Sequence, residues 1–411
     1  MLKIKVYLLI QEGEIMKQGV KKFLSMLVIL AAITPTVAYA KPQEVDKYSQ
    51  SSILMDQDTG RVLYSKNPDE KRPLASLSKM MTFLIAIESI ENNEVKANDK
   101  VKITKKMSSV KGSSYHLKEN EEVPLIELMK GLMIVSGNDA AVAIATHISG
   151  DVDSFVKVMN EKCKEIGMTS TNFVNPHGLP IYDINNPKAQ PKQNISTARD
   201  IAILGKYMFD NYEKQVTAVT DMVTYSNPSR GFEKNNTNPL LRILPEVDGI
   251  KTGYTGNAGY CLSFSMNVKK ENDKRKYRVI GVTLGANHKD KRLSAALAML
   301  KYGKNDYHTK KVINKDELIG KKYIKGLEEL EVELRTNKEL YTIIKNEENI
   351  NTQMTLKEIS YPIKKGDVLG VIKYYTDSGE ILGSIDIVSS KDVDNASLIT
   401  KIKMLFSNWY R

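Results

Sequence analysis

The sequence predicts an α+β fold in which helices pack on an antiparallel sheet, followed by a small all-β domain. Three observations support this prediction. Apolar strand patterns begin near residue 51, helical patterns occupy much of residues 76–210, and strand patterns return near residue 249. Strands at both ends of a run of helices are typical of an α+β domain, because the outer strands pair in one sheet that the helices cover.

The first two strands lie in SSILMDQDTGRVLYSKN, around a turn at Asp58-Thr59-Gly60. Apolar residues at helical spacing then predict five helices, over 76–91, 124–135, 138–148, 152–166 and 197–210. Frequent Pro and Asn predict a loop-rich segment over 169–196. The stretches GIKTGYTGNAGYCLSFSMNV and YRVIGVTLGAN are predicted antiparallel neighbours, and a helix over about 290–303 closes this domain.

From about residue 310 the pattern changes to short alternating segments separated by turns, such as LYTIIK, DVLGVIKYY and ILGSIDIV. These segments predict a small all-β domain. The last stretch, ASLITKIKMLFSNWYR, places apolar residues from Leu398 to Trp409 on one helical stripe, with lysines beside it. Such an amphipathic helix favours binding in the plane of a membrane surface. A helix docked on its own domain is the alternative.

The N-terminus has the layout of a secretory signal peptide. Three lysines precede an apolar run from Phe23 to Ala32, and Ala38-Tyr39-Ala40 predicts cleavage after Ala40. A retained anchor is the weaker alternative because the run is short for a membrane span. Residues 1–15 are an upstream extension if Met16 is the true start. The predicted organisation is a signal peptide at 1–40, an α+β domain at 41–305, an all-β domain at 306–390 and an amphipathic helix at 391–411.

The net charge is +11, and removal of residues 1–40 leaves about +8. For an exported protein, this charge points to anionic wall polymers or lipid headgroups as partners and not to nucleic acid. Cys163 and Cys261 are too few for a disulfide framework, and the sequence leaves their pairing open. The five histidines show no metal-ligand spacing, so the sequence predicts no metal site and no cofactor.

The stretch PLASLSKMM brings two serines near one lysine. On a helix, Ser76 and Lys79 are three residues apart and share a face, whereas Ser78 projects about 100° away from Lys79. Ser76 is therefore the candidate nucleophile and Lys79 its candidate base. The same spacing recurs at Ser108–Lys111 and Ser154–Lys157. Spacing alone therefore does not distinguish a catalytic pair from a solvent-facing helix.

Two further motifs follow the first along the chain, Ser136-Gly137-Asn138 and Lys251-Thr252-Gly253. The ordered set S-x-x-K, S-x-N and K-T-G is characteristic of penicillin-binding proteins and β-lactamases. Each motif alone is weak, because S-x-N also occurs at Ser170 and Ser265. Context distinguishes the chosen set: an apolar helix begins at the first motif, the second lies in a turn between two helices, and the third lies in a strand.

The sequence around these motifs resembles the low-molecular-weight penicillin-binding proteins, the serine D-alanyl-D-alanine carboxypeptidases. The resemblance is carried by PLASLSKMMT, LMKGLMIVSGNDAAVAIA, FVNPHGL and VDGIKTGYTGNAGYCL, and it extends to PIKKGDVLG and the amphipathic tail. It implies a β-lactamase/transpeptidase-like domain that shortens peptidoglycan stem peptides and that β-lactam antibiotics inhibit covalently. With the leader and the tail, it places the protein on the outer face of the cytoplasmic membrane as a peripheral protein.

The resemblance also implies roles for the first two motifs. Ser76 attacks the carbonyl between the last two D-alanines and forms an acyl-enzyme. Lys79 is the base, Ser136 relays a proton to the leaving amine, and Asn138 holds the substrate amide and orients Lys79. Because the reference pKa of lysine is about 10.4, Lys79 must be partly deprotonated, and burial with a second nearby cation, Lys251, would lower its pKa.

For the third motif, the resemblance implies that Lys251 and Thr252 bind the terminal carboxylate of the substrate. Gly253 leaves room for the substrate beside the backbone. The backbone N–H groups of Ser76 and Tyr254 stabilise the oxyanion. The family often has an arginine before this strand, and this chain has Thr237 in that place.

The sequence leaves several questions open. His177 belongs either to the rim of the site or to hydrogen bonds within its own loop. A serine β-lactamase is an alternative function, but FVNPHGLPIYD offers no glutamate of the kind that class A enzymes use for deacylation. A wall-binding protein without catalysis is another, which the complete motif set disfavours. The third residue of the stem and any cleavage of cross-links are also left open.

Overall fold

The computed structural model describes residues 44–270, 275–323, 331–358 and 362–394, together with Ser397 and Ile399. The predicted signal peptide lies outside these residues, and so does almost all of the predicted amphipathic helix. Within the described ranges, no helix combines the length and the apolar character needed to cross a membrane.

The first part of the chain is organised around a five-stranded antiparallel sheet. Its strands are β1 (Ser51–Asp56), β2 (Val62–Lys66), β3 (Val247–Thr255), β4 (Gly259–Val268) and β5 (Tyr277–Ala286). The order is β2-β1-β5-β4-β3, so the N-terminal strand pairs with the last one, with Ile53 opposite Val282. This pairing of distant strands confirms the predicted antiparallel sheet.

Six helices of nine or more residues accompany this sheet in the described part of the chain. They are α1 (Lys79–Glu91), α2 (Leu125–Met133), α3 (Asn138–Ser149), α4 (Val152–Glu165), α5 (Ala198–Thr220) and α6 (Lys289–Asp306). The shorter elements of this part include a one-turn helix at Lys105–Ser108 and 3-10 turns at Ala75–Ser78, Pro228–Arg230 and Pro239–Arg242. They also include three pairs of short strands: Arg72–Pro73 with Ile195–Ser196, Lys100–Lys102 with Glu122–Pro124, and Thr224–Asn227 with Phe232–Asn235.

The sheet separates two hydrophobic clusters. Ile53 of β1 packs in the cluster that contains α1 to α5, and its neighbour Leu54 packs in the cluster that contains α6. A strand covered on both faces is apolar without alternation, because successive side chains point to opposite faces. Helix α1 is buried from Lys79 to Ser89, which places the helix that follows Ser76 in the centre of the domain.

Two predicted boundaries were wrong. The helix predicted over 197–210 continues to Thr220, past Tyr212, whose backbone leaves the helical region. After this kink, Val216 and Val219 are again buried. The kink shifts the buried positions along the sequence, so a search for one uninterrupted helical period ends the helix too early. The predicted helical start at Ser76 is a 3-10 turn, and α1 begins at Lys79.

The remaining chain is an all-β module, as predicted. Its strands are β6 (Tyr307–Ile313), β7 (Leu318–Tyr323), β8 (Glu331–Thr336), β9 (Leu340–Lys345), β10 (Asn351–Leu356), β11 (Val368–Tyr375) and β12 (Ile381–Ser389). Strands β6 and β9 pair, and the others form a sheet in the order β7-β8-β12-β11-β10. The module has its own hydrophobic cluster, which includes Val332, Leu334 and Ile387.

A buried arginine joins the α+β part to this module. Arg61, just before β2, donates from Nη1 to the Ile343 carbonyl at 2.7 Å. Its guanidinium also pairs with Glu348 at 2.6 Å and with Glu380 at 3.0 Å. Only 5% of the Arg61 side chain is exposed. A buried cation with partners from both β9 and the loop before β12 links the two parts directly.

We expect Arg61→Ala to lower the free energy of unfolding by about 3 kcal/mol, because it leaves two carboxylates and a carbonyl without their buried partner. The matched control is Lys311→Ala, which breaks the more exposed pair between Lys311 and Glu339 and should cost much less, because solvent screens this pair. Urea unfolding of both variants measures the difference. Equal losses would contradict a special role for Arg61.

Candidate active site

The two serines of the first motif have different environments. Ser78 is fully buried, and its Oγ donates to the Ala75 carbonyl at 2.8 Å within the 3-10 turn. Ser76 is half-buried, and its Oγ lies 2.8 Å from the amine of Lys79. The turn includes a φ of +46° at Ala75, a conformation that costs an L-residue about 1–2 kcal/mol. The structure therefore pairs Ser76 with Lys79 and gives Ser78 a local structural role.

The amine of Lys79 is surrounded by three oxygen atoms. Besides Ser76 Oγ, they are Asn138 Oδ1 at 2.7 Å and the His177 carbonyl at 2.8 Å. The amide and carbonyl oxygens can only accept hydrogen bonds. A neutral amine has two N–H groups and one lone pair. As an ammonium, Lys79 donates to all three oxygens. In the neutral form, with both N–H groups given to Asn138 and His177, the lone pair is left for the hydroxyl proton of Ser76.

The surroundings favour this neutral amine. Lys79 is completely buried, and burial is the main reason why its pKa lies well below the usual lysine value. The positive charge of Lys251 lowers the pKa further, while Asp139 acts in the opposite direction. Desolvation and a like charge both destabilise an ammonium, so the site stabilises the form of Lys79 that can act as a base.

The second motif lies where α2 ends and α3 begins. Ser136 is buried with a φ of +67°, and the Gly137 N–H donates to the Gly131 carbonyl at 3.0 Å. Asn138 is the first residue of α3, and its Nδ2 donates to the Lys111 carbonyl at 2.8 Å while its Oδ1 accepts from the lysine amine. The predicted turn between two helices is confirmed, and it brings Asn138 against the Lys79 amine.

The third motif lies in β3, as predicted. The Lys251 amine is buried and donates to the Thr252 carbonyl at 2.9 Å, and Thr252 Oγ1 donates to Thr237 Oγ1 at 2.8 Å. A Cβ on Gly253 would lie 3.1 Å from the Ser76 nitrogen, so glycine allows this strand to approach the turn that carries Ser76. Tyr254 follows with a half-exposed ring stacked on Tyr260, their centroids 4.3 Å apart.

His177 contributes through its backbone. Its carbonyl accepts from Lys79, and its ring Nδ1 accepts from the Leu179 N–H at 3.1 Å. Burial is the main reason why the pKa of His177 is lowered to about 3, so the ring is neutral near neutral pH. The ring is bonded within its own loop, and the carbonyl is the group of His177 that contacts Lys79. The residue type gives no sign of this contact, because every residue has a backbone carbonyl.

Arg292 is a cation near the site that the sequence reasoning missed. It lies on the buried side of α6, with its guanidinium carbon 5.7 Å from the centroid of the Tyr260 ring. Burial first, and then the charge of Arg292, lower the pKa of Lys251 to about 7. The sequence pattern could have indicated that Arg292 is buried, because Arg292 shares a helical face with the small and apolar residues Ala295, Ala296 and Met299.

The two cysteines do not pair. Cys163 and Cys261 are both buried and free, which answers the question that the sequence left open. Burial also raises the pKa of the two thiols, to about 12 and about 11 respectively. Neither cysteine is therefore a candidate nucleophile, since a thiol reacts as the thiolate.

The geometry defines a class of protein. A serine paired with the amine of a buried lysine, an S-x-N turn and a K-T-G strand are the elements of the penicillin-recognising serine enzymes. The model of the family described as D-alanyl-D-alanine carboxypeptidase matches residues 37–288. The model of the penicillin-binding protein 5 C-terminal domain matches residues 307–395. The chain therefore belongs to the D-alanyl-D-alanine carboxypeptidase family and is a serine-type carboxypeptidase.

Relatives resemble the chain over nearly its whole length. D-alanyl-D-alanine carboxypeptidase DacF of Bacillus subtilis (strain 168) is 34% identical over 95% of this chain and 99% of its own. The crystal structure of penicillin-binding protein 5 from Haemophilus influenzae is 29% identical, with a TM-score of 0.70 over 84% of this chain and 98% of its own. An ampicillin-bound penicillin-binding protein from Listeria monocytogenes is 28% identical, with a TM-score of 0.54 over 62% and 96%.

We expect Gly178→Ala to lower the free energy of unfolding by about 4 kcal/mol or more. A Cβ there would lie 1.9 Å from the Ala75 carbonyl oxygen, and φ is +95°. The matched control is Gly231→Ala, which also has a positive φ, +57°, but open space around it, and should cost about 1–2 kcal/mol. Chemical denaturation compares them. Equal costs would show that this close approach is unimportant.

Proposed function

We propose that the protein removes the terminal D-alanine from peptidoglycan stem peptides through an acyl-enzyme on Ser76. The observation that carries this proposal is the environment of the Lys79 amine. Two acceptor-only oxygens and the Ser76 hydroxyl surround it, so that the neutral amine, with its N–H groups given to the two acceptors, has its lone pair left for the Ser76 proton. A serine hydroxyl needs such a base to become an effective nucleophile.

In acylation, Ser76 Oγ forms a bond to the carbonyl carbon between the two D-alanines while Lys79 takes the hydroxyl proton. The N–H groups of Ser76 and Tyr254 stabilise the oxyanion, and the close approach of β3 to the nucleophile turn supports this pairing. The C–N bond then breaks, and the proton passes through Ser136 to the amine of the departing D-alanine. Water hydrolyses the ester and releases the shortened stem.

Recognition of the chain end is assigned to β3. Lys251 and Thr252 bind the terminal carboxylate, and the preference for a free carboxylate makes the enzyme a carboxypeptidase. Thr237 accepts a hydrogen bond from Thr252 and supplies no charge. The charge of Arg292, by contrast, lowers the pKa of Lys251. We assign to Arg292 the positive potential that the family often obtains from an arginine before this strand.

The same site accounts for covalent binding of β-lactams, because their carbonyl accepts the same attack. The segment FVNPHGLPIYD between residues 173 and 183 contains no glutamate. Without a carboxylate of the class A kind to activate water, the penicilloyl-enzyme is expected to persist. This favours a carboxypeptidase over a β-lactamase, and the paired Ser76 and Lys79 favour either enzyme over a wall-binding protein without catalysis.

We also propose that the protein is exported and lies on the outer face of the cytoplasmic membrane. The leader at 1–40 and the apolar stripe from Leu398 to Trp409 support this location. There it would set the number of pentapeptides available for cross-linking and so affect cell shape. Cell fractionation tests the location: peripheral membrane association is expected, and recovery in the cytoplasm would contradict it.

We expect Ser76→Ala to lower turnover of a D-Ala-D-Ala peptide by about 10⁴-fold or more, since it removes the nucleophile. Ser78→Ala is the matched control and should keep most of the activity, because Ser78 bonds only within its turn. Intact mass spectrometry with penicillin should show a persistent adduct on Ser76 in the native protein and in Ser78→Ala. The reverse pattern would overturn the assignment, and rapid loss of the adduct with penicillin hydrolysis would indicate a β-lactamase.

We expect kcat/KM to fall at high pH as Lys251, whose pKa is about 7, loses the charge that binds the carboxylate. A neighbouring cation lowers a lysine pKa, so Arg292→Gln raises it and the alkaline limb of the profile moves to higher pH. Arg292→Lys keeps a cation and should leave the limb in place. A limb that does not move in Arg292→Gln would show that another group controls it.

A further inference from the structure

The loop over residues 181–192 projects from the protein beside the active site. One antiparallel bridge closes it, with the Ile181 N–H donating to the Lys192 carbonyl at 2.8 Å and the reverse bond at 2.9 Å. Tyr182 is 64% exposed and Ile184 91% exposed, the highest value for a large apolar side chain in the described ranges. Such side chains on an anchored loop are available to contact a ligand.

Both ends of this loop are bonded to the catalytic elements. Before it, the His177 carbonyl accepts from the Lys79 amine. After it, the Asn194 carbonyl accepts from the Leu74 N–H at 3.1 Å, two residues before the nucleophile. Asn257 Nδ2, in the turn between β3 and β4, donates to Gln193 Oε1 at 3.4 Å. The loop is therefore attached at the mouth of the site.

The direction of β3 shows which side of the substrate this loop borders. The proposed carboxylate-binding residues Lys251 and Thr252 precede Tyr254, whose N–H is assigned to the oxyanion. The part of the substrate on the other side of the scissile carbonyl must then extend past Tyr254, towards Asn257. Because Asn257 contacts Gln193 at the foot of the loop, the loop borders the acyl side and not the leaving D-alanine.

We infer that the loop 181–192 is a specificity element that binds the stem peptide upstream of the scissile bond, with Tyr182 and Ile184 packing against its apolar groups. This inference rests on the proposed function, which fixes the direction of the substrate. An extended peptide covers about 3.3–3.6 Å per residue. A stem with three residues before the two D-alanines therefore reaches about 10 Å beyond the penultimate D-alanine, and a substrate with one such residue reaches only about 3.5 Å beyond it.

The test compares the native protein with a Tyr182→Ala/Ile184→Ala double variant on two substrates. One is a pentapeptide stem that ends in D-Ala-D-Ala, and the other is a diacetylated lysyl-D-Ala-D-Ala tripeptide. We expect the ratio of kcat/KM for pentapeptide over tripeptide to fall about tenfold in the double variant, mainly through KM for the pentapeptide. The matched control is Ile381→Ala in the all-β module, a residue that is also 64% exposed and should leave the ratio unchanged.

An unchanged ratio in the double variant would overturn the inference. Equal losses on both substrates would also overturn it, because they would mean that the loop only positions His177 and Lys79. Failure of the proposed function has a different signature, the absence of turnover of the tripeptide by the native protein. In that event, calorimetric binding of the pentapeptide to the Ser76→Ala chain still decides: the inference requires weaker binding when the loop substitutions are added.

Discussion

The buried amine of Lys79 is the constraint on which the site depends. An ammonium at this position would be desolvated and close to the charge of Lys251, so the neutral amine is stabilised. The neutral amine then needs acceptors for its two N–H groups, and Asn138 and the His177 carbonyl provide them. Because these two come from α3 and from the loop after α4, the protonation state of one lysine requires separate parts of the domain to meet.

The rest of the domain holds this arrangement in place. The sheet pairs β1 with β5, which places Ser51–Asp56 beside a strand more than two hundred residues later. The backbone at Ala75 and Ser136 has a positive φ, and such conformations persist only where packing determines them. Gly253 lets β3 lie against the nucleophile turn. Strain and close approach are thus concentrated where the hydroxyl, the amine and the oxyanion site must be fixed relative to one another.

Burial and a neighbouring cation also lower the pKa of Lys251, which we propose as part of the carboxylate-binding site. Lys251 is buried like Lys79, and burial lowers its pKa to about 7, so the carboxylate that we propose it binds would favour its charged form. Arg292, from α6, contributes a positive charge near Lys251. The all-β module lies apart from this chemistry, with its own hydrophobic cluster, and is linked to the catalytic part by the buried guanidinium of Arg61.

The sequence by itself determined the α+β class, the all-β module and the three motifs, because helical periodicity, strand alternation and side-chain chemistry are local properties. Only the tertiary structure decided that His177 acts through its carbonyl, that Arg292 lies near Lys251 and that α5 continues past Tyr212. Every residue carries a backbone carbonyl, and contacts between distant residues depend on packing. A local pattern therefore cannot show which carbonyl or which distant arginine the fold brings to the lysines.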